Sequence, residues 1–293
     1  MKNLFVRFTA AAILFAGVLG FAAPATAAEA PDVYIQNLLK EISQGNGAAI
    51  WKALPEDYQG DVEDLVEEFA KNMDADVWDG AFKVVAKLAK VMKDKKEFIF
   101  ASELSKAAPP PQIDEAKKNW DSVVEAINSI ATSDISTLEG LKELDAEEFF
   151  EKTGNKVVGG LLKASENTPQ AAEGLKKLKA AKVTLVSKEG DDAVLKFETE
   201  GEEPKEEKYT LVDGKWLPAK MVDDWDDSIE KAKAGLAKVK LPAETKAQVM
   251  QFIGIGNSLL DSLLAAKTQE EFDAALKSIQ GLIPGAGGPP KKE

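Results

Sequence analysis

The sequence predicts an α+β fold that is mostly helical, with one small four-stranded antiparallel sheet at about residues 182–217. Two observations carry this. Apolar residues recur at three- and four-residue steps through most of the chain, the spacing of helix faces. Over residues 182–217 they alternate instead, and turn residues punctuate the alternation. A third observation bounds the chemistry: the 293 residues include no histidine and no cysteine. Thiolate nucleophiles, disulfides, iron–sulfur clusters, Ser-His-Asp triads and imidazole-ligated metals are therefore excluded.

The helical elements follow in order. Residues 32–43 place Val33, Leu38, Leu39 and Ile42 along a helix that stops at Gly45-Asn46-Gly47. Residues 61–73 put Val62, Leu65, Val66, Phe69 and Met73 on one stripe with acids opposite. Residues 75–92 are apolar over a wider arc, through Trp78, Phe82, Val85, Leu88 and Met92, and should be more buried. Ala107-Ala108-Pro109-Pro110-Pro111 stops any helix. It marks the expected boundary between an N-terminal helical subdomain, 28–108, and a helical plus sheet subdomain, 109–284. Ile113, Trp120, Val124 and Ile127 then form an amphipathic helix. Ser133-Asp134, Asp145 with Glu148 three residues on, and Thr168 before Pro169 read as helix caps.

The alternating region begins at residues 182–187 and turns at Glu189-Gly190-Asp191-Asp192. Leu195 and Phe197 alternate in the next strand. A polar loop, 201–206, leads to a strand at 208–212. Asp213-Gly214 signals a type I′ hairpin, and residues 215–217 return before Pro218. One face should be buried, lined by Leu195, Phe197 and Trp216 or Leu217. Helices then resume. Residues 224–238 open with acids around Trp225, suited to a positive helix N-terminus. Residues 243–266 carry Val249, Phe252, Ile253, Leu259, Leu260, Leu263 and Leu264. Thr268 with Glu271 is a capping box opening the last helix. Residues 285–293, rich in Gly and Pro, are expected to be a disordered tail.

The N-terminus predicts export. Lys2 and Arg7 form a basic region, and an apolar run extends from Phe8 to Phe21. Ala25-Thr26-Ala27 fits the small-x-small cleavage rule, with Ala28 as the new N-terminus. The run is short for a membrane span of about 20 residues, and no later stretch is long and apolar enough. Residues 1–27 are thus expected to be a signal peptide, and the processed protein to be soluble and periplasmic or secreted, from a bacterium. Loss of Lys2 and Arg7 takes the net charge from −13 to −15. Such a protein repels nucleic acid and anionic lipid, so neither is an expected partner.

Several patterns have the residue types of functional sites. Ser228 with Lys231, and Lys152-Thr153-Gly154, match motifs of serine acyl-transfer enzymes, but in reversed chain order and without Ser-Asp-Asn. Asp74, Asp76, Asp79 and Gly80 are out of register for a calcium loop and read as a helix start. Asp223, Asp224, Asp226 and Asp227, helped by Asp191-Asp192, are the densest carboxylates. Asp224 and Asp227 are the metal candidates there, although consecutive helical residues fan apart. Gly254 and Gly256 lie within a helical pattern, where small residues favour close packing rather than phosphate binding.

Val183-Thr184-Leu185-Val186, Gly190-Asp191-Asp192-Ala193-Val194 and Tyr209-Thr210-Leu211-Val212-Asp213-Gly214-Lys215-Trp216 resemble the C-terminal half of secreted NTF2-like (SnoaL-like) domains. The helical opening at residues 32–54, with Gly45-Asn46 before Ala49-Ile50-Trp51, is similar to that family's first helices. The resemblance covers about a third of the chain, and a further sixty or so residues of helix follow Trp216. It implies a cone-shaped pocket used for binding, since the family's His-Asp catalytic pairs have no counterpart here. The chain as a whole resembles exported bacterial proteins.

These readings combine into an exported, non-enzymatic binding or scaffolding protein without a cofactor. Leu195, Phe197, Tyr209 and Trp216 would line a pocket between sheet and helices for a small apolar ligand or a protein segment. The alternatives are a helical protein–protein interaction module and a carboxylate enzyme using a divalent cation. Export gives the first test: intact-mass measurement of periplasmic protein should show residues 1–27 removed, and their retention in a membrane fraction would refute the reading.

Overall fold

The computed structural model describes residues 29–236 and 239–282. Residues 1–27, expected to be a signal peptide, and 285–293, expected to be a tail, lie outside the described residues. The described residues form a mostly helical α+β fold, 72% helix, with one four-stranded antiparallel sheet in the order β1-β2-β3-β4.

The helices before the sheet are α1 (Pro31–Ser43), α2 (Ala48–Lys52), α3 (Glu56–Asn72), α4 (Ala75–Asp94), α5 (Lys96–Ala101), α6 (Glu103–Lys106) and α7 (Pro110–Ala131). A 3-10 turn at Asp134–Ser136 leads to α8 (Leu138–Lys142) and α9 (Ala146–Phe149). A single π turn, Phe150–Gly154, feeds α10 (Asn155–Glu166), followed by α11 (Pro169–Ala180). The strands are β1 (Lys182–Glu189), β2 (Asp192–Glu198), β3 (Lys205–Val212) and β4 (Lys215–Pro218). The chain closes with α12 (Ala219–Leu236), α13 (Ala243–Ala265) and α14 (Gln269–Leu282).

Two compact units share these elements. Met1–Leu65 in its described part, Asp145–Leu162 and Gln170–Lys233 form the first; Val66–Leu144, Lys163–Pro169 and the described part of Ala234–Glu293 form the second. The triple-proline stretch lies within the second unit, where Pro110 and Pro111 open α7. Proline is favourable there, because a first-turn N–H has no intrahelical partner.

The first unit packs α1 and α2 onto the sheet. Tyr34, Ile35, Leu38, Ala49 and Ala53 meet Val183, Ala193, Leu195, Tyr209 and Trp216 in one buried cluster. Register follows the turns. Asp213 and Gly214 both have positive φ, the type I′ geometry expected, and pair Val212 with Lys215. A bulge between Leu185 and Ser187 interrupts β1. At this edge strand the Gln36 amide donates to Ala181 O and accepts from Val183 N, both at 3.0 Å, bonding alternate residues as a neighbouring strand would. β3 starts at Lys205, inside the polar loop expected at 201–206. Its charged residues pair with Phe197 and Lys196 because β2 extends the ladder that far.

A second cluster in this unit joins Trp51, Leu54, Ala146 and Trp225 with Tyr58, Phe150 and Met221. Gly47 lies against the π turn so closely that a Cβ would sit 2.5 Å from the Gly154 carbonyl carbon. The Asn155 side chain accepts from Ala48 N at 3.1 Å and caps α2.

The second unit is built on α4. Its N-cap Asp74 accepts from Asp76 N and Val77 N, the helix start read from sequence. α13 runs parallel to it. Lys246 bonds Asp74 and Asp76, Ile253 meets Gly80, Gly256 meets Val84 and Asp261 bonds Lys87, in rising order along both helices. A Cβ on Gly256 would find Val84 at 3.7 Å, whereas one on Gly254 would find nothing within 4 Å. Neither glycine is required by close packing; the tight approach is at Gly80 of α4, where a Cβ would stand 3.1 Å from Ile253 Cγ2. α7 lies on another side of α4, with the Trp120 indole donating to Met92 O at 2.9 Å. Phe272 of α14 is fully buried among Val91, Leu260, Leu263 and Ala266.

One cap assignment differs. Ser133 makes no capping bond; Thr137 caps instead, accepting from Gly140 N at 3.0 Å. The Thr168 hydroxyl donates to Glu115 at 2.9 Å. Asp145 and Thr268 cap as read.

Glycine substitution tests this packing. Gly47→Ala should cost at least about 1–3 kcal/mol by overpacking. Gly254→Ala should gain about 0.5–1 kcal/mol of helix propensity. Urea unfolding of both variants measures the contrast, and equal effects would contradict it.

Candidate functional site

The sheet face places three of the four proposed ligand-binding residues in a filled core. Leu195 and Trp216 are 0% exposed and Tyr209 is nearly so. Their neighbours are α1 side chains, chiefly Tyr34, Ile35 and Leu38. The Trp216 indole donates to Glu29 O at 3.1 Å, and the Lys188 ammonium stands 5.5 Å over its ring. Phe197 is the exception: half-buried, it packs at the margin of the cluster, 6.1 Å from the Tyr209 ring.

The acid-rich helix start is displaced. α12 begins at Ala219, directly after Pro218, so no acid lies in its first turn. Asp223, Asp224, Asp226 and Asp227 stand further along, exposed, and a helix-dipole account does not apply to them. Asp227 pairs with Lys231 at 3.6 Å, and Asp192 accepts from the Thr210 hydroxyl at 2.9 Å. Among the described residues no three carboxylates converge in a metal-binding arrangement. Between these acids Trp225 points inward, stacks on Tyr58 at 4.1 Å and donates to Asp61 at 2.9 Å. Burial, then Asp226, Asp61 and Asp213, push the Tyr58 phenol above its ordinary value.

The remaining motif residues have structural positions. Ser228 is exposed on α12, and Thr153 is buried within the π turn. Near the β3–β4 hairpin, Lys215 donates to Lys52 O at 3.1 Å, and burial lowers its pKa. Lys52 in turn bridges Glu147 and Glu151, and those bonds hold its ammonium above the usual lysine value.

The surface that sequence reasoning missed is on α13. This helix is apolar nearly all round, a pattern that reads as burial on every side. Ile253, Leu260 and Leu263 do face α4 and α14. Phe252 does not: at 63% exposed it is the most exposed large apolar side chain described. Ile255 and Leu259, three and seven residues on, share its face and are half-buried. The available signal was charge. Residues 247–260 contain no Asp, Glu, Lys or Arg, the longest such run in the described chain.

Tyr209 gives a pH test of the filled core. Burial, then Glu207, pushes its phenol well above the ordinary tyrosine value. The unfolded phenol ionises near about pH 10. The folded state therefore holds the proton more tightly. Its contribution is complete below that pH and is lost as pH rises through it. Tyr209→Phe should lose less stability than wild type between pH 9 and pH 11 in urea titrations (about one unit either side of the ordinary value); an equal loss would place Tyr209 in contact with solvent.

No protein-family profile matches the chain, and no curated protein or solved structure is recognisably similar to it.

Proposed function

We propose that the protein is exported and acts without catalysis, binding or scaffolding other polypeptide through a helical surface of its second unit. The observation that carries this reading is Phe252, an exposed aromatic side chain on a charge-free helix face. Contiguous exposed apolar surface marks interaction sites, and half-buried Ile255 and Leu259 extend Phe252 along one face. Leu88 of α4, 41% exposed, adds apolar surface to the same unit. Export rests on Lys2, Arg7, the apolar run and Ala25-Thr26-Ala27.

A pocket beneath the sheet, the use that the NTF2-like resemblance implies, is the second reading. Half-buried Phe197 favours it, and the packing of Leu195, Tyr209 and Trp216 against α1 favours the helical surface.

An apolar fluorescent dye separates the two. Phe252→Ser should abolish dye binding by the folded protein without lowering its melting temperature. Leu195→Ala should cost about 2–5 kcal/mol, the range for truncating a buried leucine. Phe197→Ala should leave dye binding intact. Loss of dye in Phe197→Ala with the fold preserved would instead assign the site to the sheet.

A further inference from the structure

We infer that the α13 face is covered by a second copy of this chain, docked antiparallel about a twofold axis between Phe252 and Ile255. This inference rests on the helical-surface reading above and names its occupant. The first argument is charge. The processed chain carries −15, so two copies repel wherever ordinary surface meets. A twofold contact sets one patch against itself, so every charge in it would face a like charge or need an opposite one. Residues 247–260 supply a patch with neither problem. The charges that bracket the run are already neutralised within each copy: Lys246 by Asp74 and Asp76, Asp261 by Lys87.

The second argument is spacing. Gln248, Phe252, Ile255 and Leu259 follow one another by four, three and four residues, the spacing of one helix stripe. Reversing that order leaves the steps unchanged. An antiparallel second copy therefore sets Phe252 against Ile255 of the other copy, and Gln248 against Leu259, twice over. The seam is one helix face about 20 Å long. That is less than the roughly 800 Å² per partner of a stable complex, so dimerisation should be weak, with Kd on the order of 10–100 µM.

Sedimentation equilibrium on the processed protein, from about 1 to 300 µM around that Kd, tests this. Mass should rise from one chain to two across the range, and rise further at high salt as the −15 self-repulsion is screened. Phe252→Asp should stay monomeric throughout with an unchanged circular-dichroism melt. Leu104→Asp, altering an exposed apolar residue of α6, should dimerise like wild type. A wild type that stays monomeric while Phe252→Ser still loses the dye overturns the second copy and leaves the helical surface standing. Monomer with no dye binding overturns both. A dimer unaffected by Phe252→Asp overturns the inference by placing the contact elsewhere.

Discussion

The indole N–H of Trp216 donates to Glu29 O, that of Trp225 to Asp61, that of Trp78 to Ile135 O and that of Trp120 to Met92 O. These four bonds pin four of the five tryptophans; the fifth, Trp51, is buried and stacks on Phe150. A buried indole excludes water over a large apolar area, but its N–H costs about 1–3 kcal/mol if left unpaired. These four tryptophans therefore pack where a specific acceptor arrives. Trp216 ties the sheet to the start of α1, and Trp225 ties α12 to α3. Trp120 holds the middle of α7 to α4, and Trp78 holds the turn after α7 to α4. In a chain without cysteine, these directional contacts set the register that a disulfide would otherwise impose.

The ionisable groups have ordinary structural causes for their behaviour. Lys246 is raised and Asp74 lowered because they bond each other, and that bond aligns α13 with α4. Glu198 is lowered by its strand neighbour Lys196, and Glu202 by Lys177. Lys215 and Tyr209 shift through burial. These shifts trace to helix and strand contacts, not to convergence on a cleft, which is why the functional reading rests on shape and charge distribution.

The sheet was legible because alternation and turn chemistry agree locally: Asp213-Gly214 fixes a hairpin, and Leu195 can face only one way once Phe197 does. Helix starts were legible where a side chain caps them, as at Asp74, Asp145 and Thr268. α12 was misplaced because Ala219 follows Pro218 with no capping residue, so the acids at 223–227 looked like the beginning. The division into units was illegible, since it joins segments distant in sequence through side-chain packing. Phe252 was hidden by the same property that reveals it: a helix apolar on all sides reads as core until its neighbours are counted.

Gln36 has a consequence for how the chain is made. Its amide occupies Ala181 O and Val183 N, at the edge where another strand could otherwise add. Beyond it the bulge between Leu185 and Ser187 breaks the regular ladder. Gln36 lies some 145 residues ahead of the groups it bonds, so it leaves the ribosome long before them. A nascent β1 thus emerges after the side chain that caps its outer edge, while its inner edge awaits β2. Had the capping residue followed the sheet, that outer edge too would stand open while the remaining strands were made.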